Sequence, residues 1–91
     1  MLSDFYRGRK VLVTGHTGFK GSWLTFWLHR MGAEITGIAL DPETGDGIFE
    51  ATNIAGRCND IRQDINDLEA VREIFADTAP ETVFHLAAQP L

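Results

Sequence analysis

Lys10-Val11-Leu12-Val13-Thr14, followed directly by Gly15-His16-Thr17-Gly18-Phe19-Lys20-Gly21, is the stretch on which the reading of this chain turns. Val11, Val13 and Thr14 are β-branched and Val11-Leu12-Val13 is a continuous apolar run, the pattern of a strand buried on both faces. The next seven hold three glycines at three-residue spacing. Beyond them Leu24, Trp27, Leu28 and Met31 fall at i, i+3, i+4 and i+7, which predicts a helix with these four on its buried stripe; Gly32 then predicts its C-terminal stop. Strand, glycine turn and helix start bring free backbone N–H groups and the positive end of a helix dipole to one point, where a pyrophosphate can sit. The glycines have separate tasks: Gly15 for the tight turn, Gly18 for close approach of the ligand, Gly21 for packing helix on strand.

A glycine triplet is weak alone, and G-x-x-G-x-x-G departs from the standard G-x-G-x-x-G spacing, so the residues downstream matter. Glu34-Ile35-Thr36-Gly37-Ile38-Ala39-Leu40 reads as a second strand, and Asp41 at its end stands twenty positions beyond Gly21. A carboxylate there accepts both ribose hydroxyls of an adenosine and repels a ribose phosphate, favouring NAD over NADP. The alternative is a turn aspartate ahead of Pro42.

The remaining chain alternates strand and helix. Asp41 to Arg57 reads as an irregular crossover, with Ile48 to Ile54 a possible short helix and Ile48 and Phe49 its anchors. Asn59 to Ile65 is a third strand. Asn66 to Thr78 is a helix, capped by Asn66 with Glu69 in a capping-box relation and burying Leu68, Val71, Ile74 and Phe75; Ala79-Pro80 ends it. Thr82 to Leu86 is the final strand, running into Ala87-Ala88-Gln89-Pro90. Right-handed crossovers then give an α/β, Rossmann-type, three-layer fold with a partial parallel sheet in the order 3-2-1-4. The first helix and the crossover share one face, the Asn66 to Thr78 helix takes the other, and the glycine turn, Asp41, Asp64 and the Ala87-Ala88 loop meet at the carboxyl edge. The last strand becomes a sheet edge, which predicts partly bare apolar residues, Val11, Val13 or their neighbours, and self-association of the isolated chain.

Val13-Thr14-Gly15-His16-Thr17-Gly18-Phe19-Lys20-Gly21-Ser22-Trp23-Leu24 and Val83-Phe84-His85-Leu86-Ala87-Ala88-Gln89-Pro90 resemble the extended short-chain dehydrogenase/reductases, and within them the NAD-dependent nucleotide-sugar dehydratases and epimerases. The resemblance runs from about Arg9 to Leu91. It implies NAD as cofactor, with contacts from Gly15, Thr17, Gly18, Phe19, Lys20, Gly21, Asp41, Asp64, Ile65, Leu86, Ala87 and Ala88. Asp64 would accept the adenine amino group and Ile65 lie against the ring; the alternative for Asp64 is a turn aspartate. It also implies a nucleotide-sugar substrate and a homo-oligomer. The family's catalytic tyrosine, lysine, acid and base have no counterpart here, so no catalytic residue is assigned and residues 1–91 are expected to be the amino-terminal part of a NAD-binding Rossmann domain. A non-catalytic dinucleotide-binding module is the alternative. Tyr6-Arg7-Gly8-Arg9-Lys10 matches Tyr-x-x-x-Lys, but ahead of the first strand and with a glycine inside it, so it is given no chemistry; Phe5 and Tyr6 are expected over one end of the core.

Composition narrows the partners. The net charge of −5 argues against nucleic acid and anionic membrane surfaces. The single Cys58 offers no internal disulfide and no metal cluster, and there is no apolar run of spanning length and no signal-like segment; a cytoplasmic location is expected. Of the histidines, His29 is expected in solvent, His85 as a hydrogen-bonded core residue, and His16 as a turn residue without a partner. Lys20 either adds charge near a phosphate or points to water.

Overall fold

The computed structural model describes residues 2–42 and 47–87. Four parallel strands, β1 (Lys10–Thr14), β2 (Glu34–Ala39), β3 (Asn59–Arg62) and β4 (Thr82–His85), lie in the order β3-β2-β1-β4. They alternate with α1 (Leu2–Tyr6), α2 (Phe19–Arg30), α3 (Ile48–Ala51) and α4 (Leu68–Thr78), and a 3-10 turn at Ile54–Gly56 follows α3. The α/β sheet in 3-2-1-4 order is therefore present as the sequence predicts. Strands β2, β3 and β4 stop one to three residues short of the apolar runs that predict them.

β1 is central, which explains its unbroken apolar run: Val11, Leu12 and Val13 are all buried. Of the residues expected to lie partly bare, Val11 and Val13 are covered, whereas Val83, the β4 residue paired with Leu12, is exposed. Residues paired across a parallel ladder share a face. Val11 pairs with Ile35, Val13 with Gly37 and Phe84, Gly37 with Asp60, and Ala39 with Arg62, so these residues form one face. Val11, Val13, Ile35 and Leu28 of α2 make the core there, with Tyr6, Leu24, Met31 and Phe84 packed around it.

α2 buries only part of the stripe its large residues predict: Leu28 is buried and Leu24 and Met31 are partly buried against the core. Its buried positions are Gly21, Ser22, Thr25 and Leu28, while Trp27 is 59% exposed. The helix approaches the sheet through small side chains, which leaves no room for an indole underneath. The two buried hydroxyls are satisfied locally: Ser22 donates to the His16 carbonyl (2.8 Å) and Thr25 to the Gly21 carbonyl (2.7 Å). Gly32, at φ +84, follows the last turn in the left-handed conformation that glycine tolerates.

α4 departs from expectation in two ways. Its cap is Asp67, whose carboxylate accepts from the Ala70 N–H (3.2 Å); Asn66, one position earlier, belongs to a turn in which its N–H donates to Asp64 (2.9 Å). None of its residues is buried: Val71, Ile74 and Phe75 are half-buried and Leu68 is 70% exposed. A cleft of about 270 Å³ separates Asp77 and Thr78 from Thr36 and Asn59 on the sheet. On edge strand β4, Val83 is 43% exposed.

The N-terminal segment is helical, and only one of its two aromatics serves the core. Tyr6 is half-buried 6.4 Å from Phe84, whereas Phe5 stays exposed beneath the Arg9 guanidinium. Tyr6 is thus a packing residue. In the crossover Phe49 is buried, Ile48 only half, and Ile54 replaces it as the second anchor.

Candidate functional site

The glycine turn is built from both ends of the chain. Gly15 has φ +84, and a Cβ on it would stand 2.8 Å from the Ala87 nitrogen, so glycine is required for conformation and for space. Its N–H donates to the Ile38 carbonyl (2.9 Å) and the Leu86 N–H donates to the Thr14 carbonyl (3.0 Å). The Thr14 hydroxyl oxygen accepts from the N–H groups of Leu86 (3.1 Å) and Ala87 (3.3 Å) and its hydrogen is free for His85 Nδ1, 2.7 Å away. His85 is hydrogen-bonded as expected, although exposed rather than in the core. At Gly21 a Cβ would lie 1.9 Å from the Gly15 carbonyl oxygen; this glycine serves the packing of α2 on the turn.

Gly18 is different. It has φ −81, which any residue adopts, and a Cβ there would meet only the Gly15 oxygen, at 3.5 Å. Nothing among the described residues demands glycine at this position. It caps α2 without a side-chain hydrogen bond, and the first turn of α2 holds no acidic residue. The leading N–H groups and the positive helix pole are thereby left open to an outside anion.

These groups face a cleft of about 710 Å³ at the carboxyl edge of the sheet, lined on one side by Gly15, Thr17, Gly18 and Phe19 and across from them by Asp41, Asp64, Ile65, Leu86 and Ala87. Nine of the twelve candidate positions are therefore brought together. Gly21 lies behind the turn, exposed Lys20 is not among the lining residues, and Ala88 is outside the described residues. Thr17 is tied across the cleft by a hydrogen bond from its hydroxyl to the Leu40 carbonyl (2.9 Å). Among the described residues no group of three or more His, Cys, Asp or Glu is placed to hold a metal. Burial pushes the Cys58 thiol up to about 11, which leaves it protonated and unreactive.

Beneath the turn lies a polar cluster that sequence reasoning missed. His16 is fully buried, its ring against Gly37, where a Cβ would come within 2.4 Å of it. Its Nε2 is 2.5 Å from Asp60 Oδ1, and its Nδ1 has no partner among the described residues. Burial holds its pKa below the usual histidine value, against the opposing pull of Asp60. The neutral ring therefore carries its hydrogen on Nε2 and donates to the carboxylate. Burial works to raise the Asp60 pKa, but hydrogen bonds from Arg62 and His16 outweigh it and hold it below the ordinary range. The signal was the Asn59-Asp60-Ile61-Arg62 alternation, which places Asp60 and Arg62 on one face. What that face touches depends on Gly37 opposite, and that was invisible without the register.

A family model described as GDP-mannose 4,6 dehydratase matches residues 12–91. The chain belongs to this family. It is 50% identical to CDP-glucose 4,6-dehydratase of Salmonella typhimurium over 97% of its own length and 24% of that protein's. The structure of the epimerase Mth375 from Methanothermobacter thermautotrophicus superposes with a TM-score of 0.73 at 30% identity, over 96% of this chain and 25% of that one. The Bordetella bronchiseptica enzyme WbmH, solved in complex with NAD+, gives 0.74 at 26% identity, over 92% and 27%. This family member spans about a quarter of the length of the curated relatives it matches.

Proposed function

We propose that residues 1–91 act as the NAD-binding portion of a nucleotide-sugar 4,6-dehydratase, with CDP-glucose as substrate and CDP-4-keto-6-deoxyglucose and water as products. The observation that carries the reading is Gly18: a glycine with no conformational or steric need for one, at an uncapped helix start facing a cleft. A side chain there would fill the space a diphosphate needs. The rest of the cleft lining is compatible with a dinucleotide: in this reading Asp41 accepts from the ribose hydroxyls, Asp64 accepts from the adenine amino group with Ile65 against the ring, and Leu86 and Ala87 lie along the path to the nicotinamide. NAD bound there supplies the acceptor for a hydride from the sugar's fourth carbon, returned at the sixth after water is lost across the fifth and sixth. The residues of this chain bind and orient; none is assigned to proton transfer.

WbmH and its bound NAD+ and the half-identical CDP-glucose 4,6-dehydratase support cofactor and substrate class respectively. The likeness to Mth375 supports a second reading, an epimerase of the same family; product analysis separates the two, since only the dehydratase yields a 4-keto-6-deoxy sugar. The reading extends to a cytoplasmic homo-oligomer with no nucleic-acid or membrane partner. The net charge of −5 supports the last point, and light scattering across a concentration series tests the oligomer. Calorimetric titration of NAD into the wild type and Gly18→Val tests the central claim: the variant is expected to lose binding, and equal affinity of the two proteins would overturn it.

A further inference from the structure

Arg62 stands at the end of β3, one strand away from the end of β2, and its guanidinium reaches across to the residue placed at the adenosine ribose. Nη1 donates to Asp41 Oδ1 at 2.6 Å. The other edge of the fork is held independently: Nε donates to Asp60 Oδ1 (3.0 Å) and Nη2 to Asp60 Oδ2 (3.1 Å), and the guanidinium lies over the Phe49 ring, 5.0 Å from its centroid. Asp60 is in turn fixed by buried His16. The two carboxylates therefore have unequal roles. Asp60 is part-buried and grips Arg62 bidentately, whereas the Asp41 side chain is 82% exposed and takes only the outward-facing N–H.

We infer that Arg62 is a second determinant of cofactor choice at the adenosine ribose, a preformed ligand for a 2′-phosphate that Asp41 masks. The inference rests on the reading of the cleft as a dinucleotide site. With Asp41 in place, its carboxylate occupies the outward N–H and repels a phosphate. With that charge removed, Asp60 and Phe49 still hold the guanidinium, and its outward N–H, left with at most a neutral amide acceptor at position 41, is open to competition from a phosphate. A phosphate oxygen then takes the same charge-assisted hydrogen bond, in a geometry that costs no reorganisation of the long side chain. Arg62 lies on β3 and not in the glycine turn or directly after β2, so its reach to the ribose is set by the register of Ala39 against Arg62.

The test is equilibrium titration of NAD and NADP into the wild type, Asp41→Asn, Arg62→Gln and the Asp41→Asn/Arg62→Gln double variant. Asp41→Asn is expected to raise NADP affinity by about tenfold, the scale of one charge-assisted hydrogen bond, and the double variant to lose that gain. Simple relief of repulsion by Asp41 gives an equal gain with or without Arg62, and that result overturns the inference, as does an unchanged NADP affinity in Asp41→Asn. Should Arg62→Gln fail to fold, Asp41→Asn/Arg62→Lys replaces it: an ammonium cannot grip Asp60 bidentately, so the gain must shrink, and a full gain counts against Arg62. NAD binding that is absent, or indifferent to Gly18→Val, overturns the dinucleotide reading itself. Gly18-dependent NAD binding without an Arg62-dependent NADP gain overturns only this inference.

Discussion

α2 follows β1 and α4 follows β3 along the chain, and both serve the same sheet, yet they reverse the usual relation between pattern and burial. α4 is strongly amphipathic, with Leu68, Val71, Ile74 and Phe75 in a well-marked stripe, and buries none of its residues. α2 is weakly amphipathic, with two tryptophans facing outward, and buries four positions of which only Leu28 is large and apolar. Apolar periodicity reports which face a helix offers. How closely the helix is held depends on how small that face is, and Gly21, Ser22 and Thr25 let α2 come closer than any leucine stripe permits.

The contrast is broken most severely at Gly21. A Cβ there collides with the Gly15 carbonyl, so Gly21→Val must push α2 off the turn; a loss of about 3 kcal/mol or more is expected, measured as a fall in the urea midpoint. Next is a paired truncation. Leu28→Ala empties a fully buried site and is expected to cost about 3 kcal/mol, whereas Leu68→Ala on the exposed first turn of α4 is expected to stay within about 0.5 kcal/mol. Equal losses in denaturant titration would erase the distinction between the helices.

The smallest effect is a dependence on pH confined to the α2 side. His16 sits under the turn that starts α2, with its pKa held below 6.5 by burial. Below that value the unfolded chain takes up a proton that the folded chain refuses, so stability falls as the pH drops, from the unfolded pKa down to the folded one. The carboxylates confuse the picture only lower: Asp60, held below its usual 3.8, contributes stability above that value and loses it as the pH falls through its folded pKa. Unfolding curves between about pH 6.5 and 5, where unperturbed histidine but not carboxylate titrates, are expected to show a slope that His16→Asn removes. A slope unchanged by that substitution would show that the buried ring does not set it.

The sheet, its order and nine cleft positions were legible because each follows from local pattern: β-branched runs, glycine spacing, an acidic residue at a strand end. What escaped was whatever depends on a partner distant in sequence. Trp27 belongs by periodicity to the buried stripe, and only the closeness of Gly21 to Gly15 excludes it. His16 looked like a loop residue because nothing nearby in sequence suggests Asp60, forty-four residues on, or the absence of a side chain at Gly37. The α4 cap is Asp67 and not Asn66, because Asp64, Asn66 and Asp67 are all residues suited to a cap or turn and the pattern alone does not decide between them.

The joint between the end of β1 and the start of the segment after β4 also sets an order of events. Thr14 and Gly15 are completed by His85, Leu86 and Ala87, partners separated by 71 to 73 residues where hydrogen bonds join them to the Thr14 hydroxyl. Closing so long a loop is entropically costly and slow relative to forming a helix. During synthesis from the N-terminus, α2 and the β1–β2 pair emerge before β4, their glycine turn lacking one wall. The site cannot mature until the ribosome has delivered β4, so a ligand that recognises the finished cradle arrives as a late reporter of folding and not as its nucleus.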